Sequence, residues 1–261
     1  MSAAAAKVLV LGSGTSHGVP MIGCECDTCR SADPHDRRSR PSIYIQINGG
    51  PSVLIDTSPD LRMQALTHGL KRVDAIVYTH SHADHIMGLD EVRRFNVLQK
   101  SAIPCYGDAR TLEDLRRIYS YVFNPDTPRG GGIPQVVTAR VVGEFCLGAA
   151  TFVPVPLLHG SRTILGYRIG AFAYMTDCSS IPETSWPLLT GVRTVILDAL
   201  RHKPHATHMS LDQALAVVER LKPERAIFTH MSHDLPHAAT CARLPAGVQL
   251  AYDGLTFEID L

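Results

Sequence analysis

Nothing in this sequence is apolar over the ~20 residues that a membrane-spanning helix requires, and neither sign of charge predominates. Twenty-five lysines and arginines balance 25 aspartates and glutamates, for a formal net charge of +0 with histidine neutral. The balance removes any global pull toward nucleic acid or an anionic membrane, leaving only local basic patches to do that work. No basic region precedes the short apolar run Val8-Leu9-Val10-Leu11, so a secretory leader is not expected and the cytoplasm is the expected compartment. A disordered tail is missing too. With 45% hydrophobic and 19% charged residues the composition is globular, and 261 residues suffice for a single domain over 1–261 with a sizeable core.

An even spread of cysteines is also lacking. Seven is an odd number, and three crowd into Cys24-Glu25-Cys26-Asp27-Thr28-Cys29. A disulfide framework would space them along the chain; thiolate metal binding in a reducing compartment fits better. Thiolates hold Zn²⁺ tetrahedrally, so three ligands from one loop at about 23–30 leave a fourth to come from elsewhere, and such a closed site is structural. The plain alternative, three reduced thiols on an exposed loop, would be a liability. The glycine-rich Gly12-Ser13-Gly14-Thr15-Ser16-His17-Gly18 follows a strand over Lys7 to Leu11, but no amphipathic helix comes after it. The helix N-terminus that would cradle a dinucleotide phosphate is therefore absent, and these glycines read as letting the loop pass close to another backbone or to the active site.

Histidine, by contrast, is plentiful and clustered. Thr79-His80-Ser81-His82-Ala83-Asp84-His85 packs three imidazoles and a carboxylate into six consecutive residues. The apolar Ala75-Ile76-Val77-Tyr78 before it reads as a buried strand, and a helix is expected from Ile86 to about Phe95. His80 and His82, two apart in extended chain, project to one side. Asp84 and His85 open the helix and reach a second point nearby, which is the layout of a two-metal site. Other apolar runs stop on the same residue types: 151–158 at His159, 171–175 just before Asp177, 194–197 at Asp198 and 226–229 at His230. A lone buried histidine is usually a satisfied core residue; a series at strand ends, separated by whole supersecondary units, is not.

The remaining expectations are more local. Strands over 42–47 and 52–56 flank an Asn48-Gly49-Gly50 turn, with Asp56 at the end of the second. Helices are expected over 61–69, from a Thr111 cap to about Val122, and over 211–221 behind a Ser210 cap. Residues 124–134 must be irregular, as a connector or as a flap over a pocket. A faint echo between Ala75-Ile76-Val77-Tyr78-Thr79-His80 and Ala226-Ile227-Phe228-Thr229-His230 points to two similar half-domains whose ligands meet at a shared edge.

With these residues in order, the chain resembles the metallo-β-lactamase superfamily over essentially its whole length. The signature His-x-His-x-Asp-His, followed by later single His, Asp and His ligands, is matched by His80, His82, Asp84, His85, His159, Asp177 and His230. The resemblance implies an α/β, four-layer αβ/βα sandwich with metals at one edge of the two sheets. It assigns His80, His82 and His159 to one ion, and Asp84, His85 and His230 to another, with Asp177 bridging and Asp56 bracing. A nitrogen-rich set with carboxylates suits Zn²⁺, Mn²⁺ or Fe²⁺. Within the superfamily the chain looks most like the PhnP-type phosphodiesterases, which act on 5-phosphoribosyl 1,2-cyclic phosphate. Gly12-x-Gly14 leading through Gly18-Val19-Pro20 into Cys24, Cys26 and Cys29 carries that match, together with His233 and Thr207-His208.

By that resemblance His233 completes a structural zinc site with the three cysteines, and His208 assists catalysis by protonating the leaving alkoxide or bonding a phosphoryl oxygen. The implied activity is a dinuclear, metal-dependent phosphodiesterase, cleaving a small cyclic or nucleotide-like phosphodiester with a hydroxide shared by two ions; Asp84 serves as ligand and catalytic residue. The runner-up is a tRNA 3′-processing endonuclease, disfavoured by the neutral balance and the lack of a long basic arm. A glyoxalase-type thioester hydrolase leaves the cysteine loop unexplained, and a non-catalytic metal-binding protein leaves the full ligand set unexplained. A small phosphodiester is the expected partner, a membrane is not, and a homodimer stays open. His17, Arg201 and His205 receive no role from the sequence.

Overall fold

The computed structural model describes residues 5–128 and 132–261. Fourteen strands run in chain order as β1 (Ala5–Gly12), β2 (Ser42–Ile47), β3 (Ser52–Ile55), β4 (Ala75–Val77), β5 (Ile103–Gly107), β6 (Val136–Arg140), β7 (Phe145–Leu147), β8 (Ala150–His159), β9 (Arg162–Ile169), β10 (Phe172–Met175), β11 (Thr194–Asp198), β12 (Arg225–Thr229), β13 (Val248–Leu250) and β14 (Thr256–Asp260). They form two seven-stranded sheets, in the orders β14-β1-β2-β3-β4-β5-β6 and β13-β12-β11-β10-β9-β8-β7. Both sheets are mixed, with β3 to β6 parallel in the first and β10 to β13 parallel in the second.

Period-two alternation sorts the side chains between layers. Ile43, Ile45, Val53, Ile55, Ala75 and Val77 face the second sheet and pack with Phe152, Val155, Tyr167 and Phe172. The intervening Tyr44, Leu54 and Ile76 face the other way, onto helical residues Leu61, Phe95, Leu112 and Leu115. Each such buried aliphatic side chain is worth about 1.5–3 kcal/mol relative to exposure. Helices α1 (Asp27–Arg30), α2 (Leu61–Thr67), α3 (Ala83–Ile86), α4 (Arg93–Gln99), α5 (Ala109–Ile118) and α6 (Ser120–Phe123) precede the second sheet; α7 (Leu211–Leu221) and α8 (His237–Cys241) lie within its connections. Leu211 and Ala214 of α7 bury against the second sheet. The expected αβ/βα sandwich is what forms. No helix of the described residues is long and apolar enough to cross a membrane.

Three local expectations are corrected. The helix after the histidine cluster is broken: α3 ends at Ile86, a 3₁₀ turn spans Leu89–Val92, and α4 runs on to Gln99. The break falls at Gly88, where a Cβ would lie 2.0 Å from the Ser58 carbonyl oxygen, so two backbones meet where a regular helix could not pass. The next helix is capped by Asp108, whose carboxylate accepts from Thr111 N at 2.7 Å, and Thr111 itself lies inside it. It stops at Ile118 and does not run unbroken to Val122. β9 starts at Arg162, leaving only a Gly160-Ser161 turn after His159. The irregular loop at 124–134 falls partly outside the described residues. Directly after it the chain is tied to α4, with Gln135 N donating to Asn96 Oδ1 at 2.9 Å.

Candidate metal centre

The first sheet brings Asp56 and the His80-to-His85 turn to the carboxyl ends of β3 and β4. The second brings His159, Asp177, Asp198 and His230 to the ends of β8, β10, β11 and β12. Carboxyl ends of parallel strands are where open α/β sheets bind ligands. Asp56, Asp177 and His230 each hold positive φ, at 63°, 58° and 60°. A left-handed residue just after a strand reverses the chain and swings its side chain out of the pleat. Such strain in non-glycine residues gathers at functional sites.

Besides two groups that His208 forms, with His159 and Asp177 and with Asp198 and His230, the described ligand-type atoms gather as His80, His82 and His159 on one side and Asp84, His85, Asp177 and His230 on the other, with all ligand atoms in each group within 4.8 Å of one another. Asp177 stands between them, with one oxygen 3.2 Å from His85 Nε2 and the other 3.2 Å from His230 Nε2 and 3.8 Å from His80 Nε2. Asp56 is fully buried and braces from behind. It accepts from Thr79 N, Thr79 Oγ1 and His85 Nδ1, at 2.8, 2.8 and 2.7 Å. Because Thr79 spends its proton on Asp56, its oxygen is free to accept from His80 Nδ1 at 3.0 Å. His159 Nδ1 donates to Thr207 O at 2.8 Å. Each bond fixes a tautomer and turns the opposite nitrogen toward the centre. Among the described residues, Nε2 of both His80 and His85 is then buried with no hydrogen-bond partner. Orphaned imidazole nitrogens facing carboxylates are the donor set that divalent ions fit.

The charges agree with this arrangement. Burial would raise the Asp84 carboxyl, but His85 and His230 outweigh it and hold it well below the usual carboxylate range. Burial would lower His230, yet Asp177 and Asp84 push it up to about 10. His85 is raised in the same way, against burial, by Asp177, Asp84 and Asp56. Burial lowers His80, His82 and His159. Without metal, protons on His85 and His230 offset the carboxylates.

His208 lies against this cluster, its ring stacked on His230 at 4.5 Å and 12°. Its Nδ1 is 2.9 Å from Asp198 Oδ2, which leaves Nε2 for a ligand. Burial, reinforced by His230, lowers His208 to about 4. Asp198, named in the sequence only as the end of an apolar run, is the partner that orients His208, a role legible only after folding. A cavity of about 270 Å³ opens beside His208, lined by Thr15, His17, Arg201 and His205 among others. The structure thus brings His17, Arg201 and His205 to one pocket. The Arg201 guanidinium is engaged within its own loop, donating to the carbonyls of Lys203 and Pro204 at 3.2 and 3.1 Å.

A second group forms at the loop after β1. Cys24, Cys26 and Cys29 converge on His233 Nδ1, their sulfurs 3.1, 3.3 and 3.5 Å away. The Cys29 N–H directed at Cys26 Sγ lowers that thiol to about 7, while burial raises Cys29 to about 11. All seven cysteines are free. Three sulfurs and one ring nitrogen around a point match a closed tetrahedral zinc site. The glycine loop is pressed between segments, as expected: a Cβ on Gly12 would lie 2.0 Å from Arg40 O. Thr15 N and Ser13 O pair with Met231, directly after His230.

This sandwich, with its edge cluster of histidines and aspartates, defines a metal-dependent hydrolase class, and residues 52–231 match the β-lactamase superfamily domain. The chain belongs to that superfamily. A crystal structure described as a new diphosphatase from the PhnP family is 50% identical with a TM-score of 0.92, covering 98% of each chain. Within the superfamily this chain is PhnP-like. A Porphyromonas gingivalis (strain ATCC BAA-308 / W83) protein named octanoyltransferase is 35% identical over 97% of this chain. The chain spans only 52% of that relative's length. Zn²⁺-bound PqqB from Methylobacterium extorquens shares the fold at 19% identity and a TM-score of 0.76, covering 98% of this chain and 100% of its own.

Proposed function

We propose that this chain is a dinuclear, metal-dependent phosphodiesterase acting on a small cyclic or nucleotide-like phosphodiester. The observation that carries the reading is Asp177, whose two oxygens face histidines of both ligand groups. His80, His82 and His159 would hold one ion and Asp84, His85 and His230 the other, with Asp177 shared and Zn²⁺ or Mn²⁺ the fitting metals. When bound, such a pair acidifies water and offsets phosphoryl charge. The protein's own residues do the rest. Asp56 and the Thr207 carbonyl hold imidazoles in their ligating tautomers. His208, oriented by Asp198, places Nε2 by the cavity. Burial raises the Asp198 carboxyl well above its ordinary value. With that carboxyl proton donated to Nδ1, the neutral imidazole keeps its own proton on Nε2, from which it would donate to a phosphoryl or leaving-group oxygen. Cys24, Cys26, Cys29 and His233 would hold one structural zinc apart from the reaction.

A second reading is cleavage of the P–O–P linkage of a diesterified diphosphate. The 50% identical structure described as a diphosphatase favours it. The discriminating experiment offers metal-loaded protein a 5-phosphoribosyl 1,2-cyclic phosphate, 2′,3′-cyclic nucleotides, a dinucleoside diphosphate and precursor tRNA. Turnover of a cyclic phosphodiester supports the first reading, and selective turnover of the diphosphate supports the second. Activity confined to precursor tRNA overturns both.

A further inference from the structure

Of the histidines at the centre, His82 is the exposed one. His80, His85 and His159 are each held at Nδ1 by a protein oxygen. Among the described residues the His82 ring makes no hydrogen bond, and it lies edge-on to His80 at 4.5 Å and to His159 at 4.9 Å. Something other than a bond to its own ring must hold it. Between His80 and His82, in extended chain, Ser81 points the opposite way. Its hydroxyl donates to Asp114 Oδ2 at 2.5 Å and accepts from Arg162 Nη2 at 2.9 Å. Asp114 belongs to α5, on the outer side of the first sheet, and Arg162 opens β9 in the second.

The Arg162 bond is the last of three from β9 to this turn. Tyr167 Oη donates to Tyr78 O at 2.8 Å, Leu165 N to Thr79 O at 3.1 Å, and Arg162 to Ser81. The same hairpin carries His159, opposite Arg162 in the register. The three bonds therefore clamp the turn bearing His80 and His82 to the hairpin bearing the third histidine.

We propose that Ser81, bridging Asp114 and Arg162, is a positioning residue that sets the spacing of His82 from His159 and thereby the affinity of the three-histidine position for its metal. The inference rests on the two-ion reading of the centre. Oxygens behind metal-ligating side chains commonly contribute 10–100-fold to metal affinity, and here the effect passes through the backbone of the turn. Arg162 makes the idea sharp. By charge alone an arginine beside this site opposes cations, so a purely electrostatic role predicts unchanged binding in Arg162→Lys. Positioning predicts weakening, because lysine keeps the charge and loses the planar fork.

The test titrates Zn²⁺ against a chelator in the full chain, using wild type, Ser81→Ala, Ser81→Thr and Arg162→Lys. Co²⁺ absorption spectra identify the position affected, and thermal midpoints are recorded on metal-free protein. Expected is a ~10–100-fold weaker three-histidine position in Ser81→Ala and Arg162→Lys, an unchanged carboxylate-rich position, recovery in Ser81→Thr, and unchanged midpoints. Unchanged affinity in both Ser81→Ala and Arg162→Lys overturns the proposal, as does equal weakening at both positions with a lowered midpoint. Should Ser81→Ala fail to fold, Arg162→Lys decides alone. Wild type binding fewer than two ions at the centre would instead remove the two-ion reading itself.

Discussion

At Asp198 and His208 the residue scale shows what sequence can carry. The seven ligand-type residues are visible because spacing and strand ends mark them. Asp198 ends an apolar run in the same way, yet its work is done on His208, ten residues on. Only the fold reveals the pairing. Arg162, Ser81 and Asp114 are equally silent in sequence, since no periodicity joins positions 81, 114 and 162. The imidazoles also fix a pH dependence for metal-free protein. His230, raised to about 10, contributes stability that is full below the ordinary 6.5 and is lost as pH climbs toward 10. His208, lowered to about 4, acts in the opposite sense, its contribution present above 6.5 and lost as pH falls toward 4. Thermal unfolding of chelated protein is therefore expected to peak near pH 6.5. Metal, by displacing the His230 proton, should remove the alkaline decline. A midpoint rising steadily to pH 9 in the chelated protein would contradict this assignment.

At the scale of elements, the strands were the most legible and the helix starts the least. Alternation and apolar runs locate the strands that end on the site. The sequence points to a helix cap at Thr111 whereas Asp108 supplies it, because both residue types cap well and only tertiary burial of Thr111 separates them. The loop after β12 hides a further device. Arg38, buried to 1% exposure, donates to the carbonyls of His35, Ser232 and Leu235 and to Asp36. It thereby pins residues 232–235, which include His233 and follow His230. Arg38→Met removes four donated bonds and strands a buried Asp36. The expected cost is about 3–5 kcal/mol in urea unfolding, with weaker metal retention at the cysteine loop. A loss below about 1 kcal/mol, the ordinary scale of a surface pair, would show that the loop stands without it.

At the scale of the molecule, two facing sheets each contribute part of the ligand set, so neither half of the chain holds a complete centre. The echo between 75–80 and 226–230 foresees ligands from two halves meeting at one edge. It does not foresee the strand order: β4 lies third from the β6 edge of its sheet, whereas β12 lies second from the β13 edge. Sheet order depends on crossovers that leave no local trace in sequence. The central claim is that two ions, one of them held by Asp84, are required together for cleavage of a phosphodiester. The direct measurement is bis(p-nitrophenyl) phosphate hydrolysis with metal content per chain, in wild type, chelated, reloaded and Asp84→Ala protein. The account predicts activity only where the centre holds two ions, and at least a ~100-fold loss in Asp84→Ala. Undiminished hydrolysis by Asp84→Ala, or by protein retaining only the cysteine-bound metal, would contradict it.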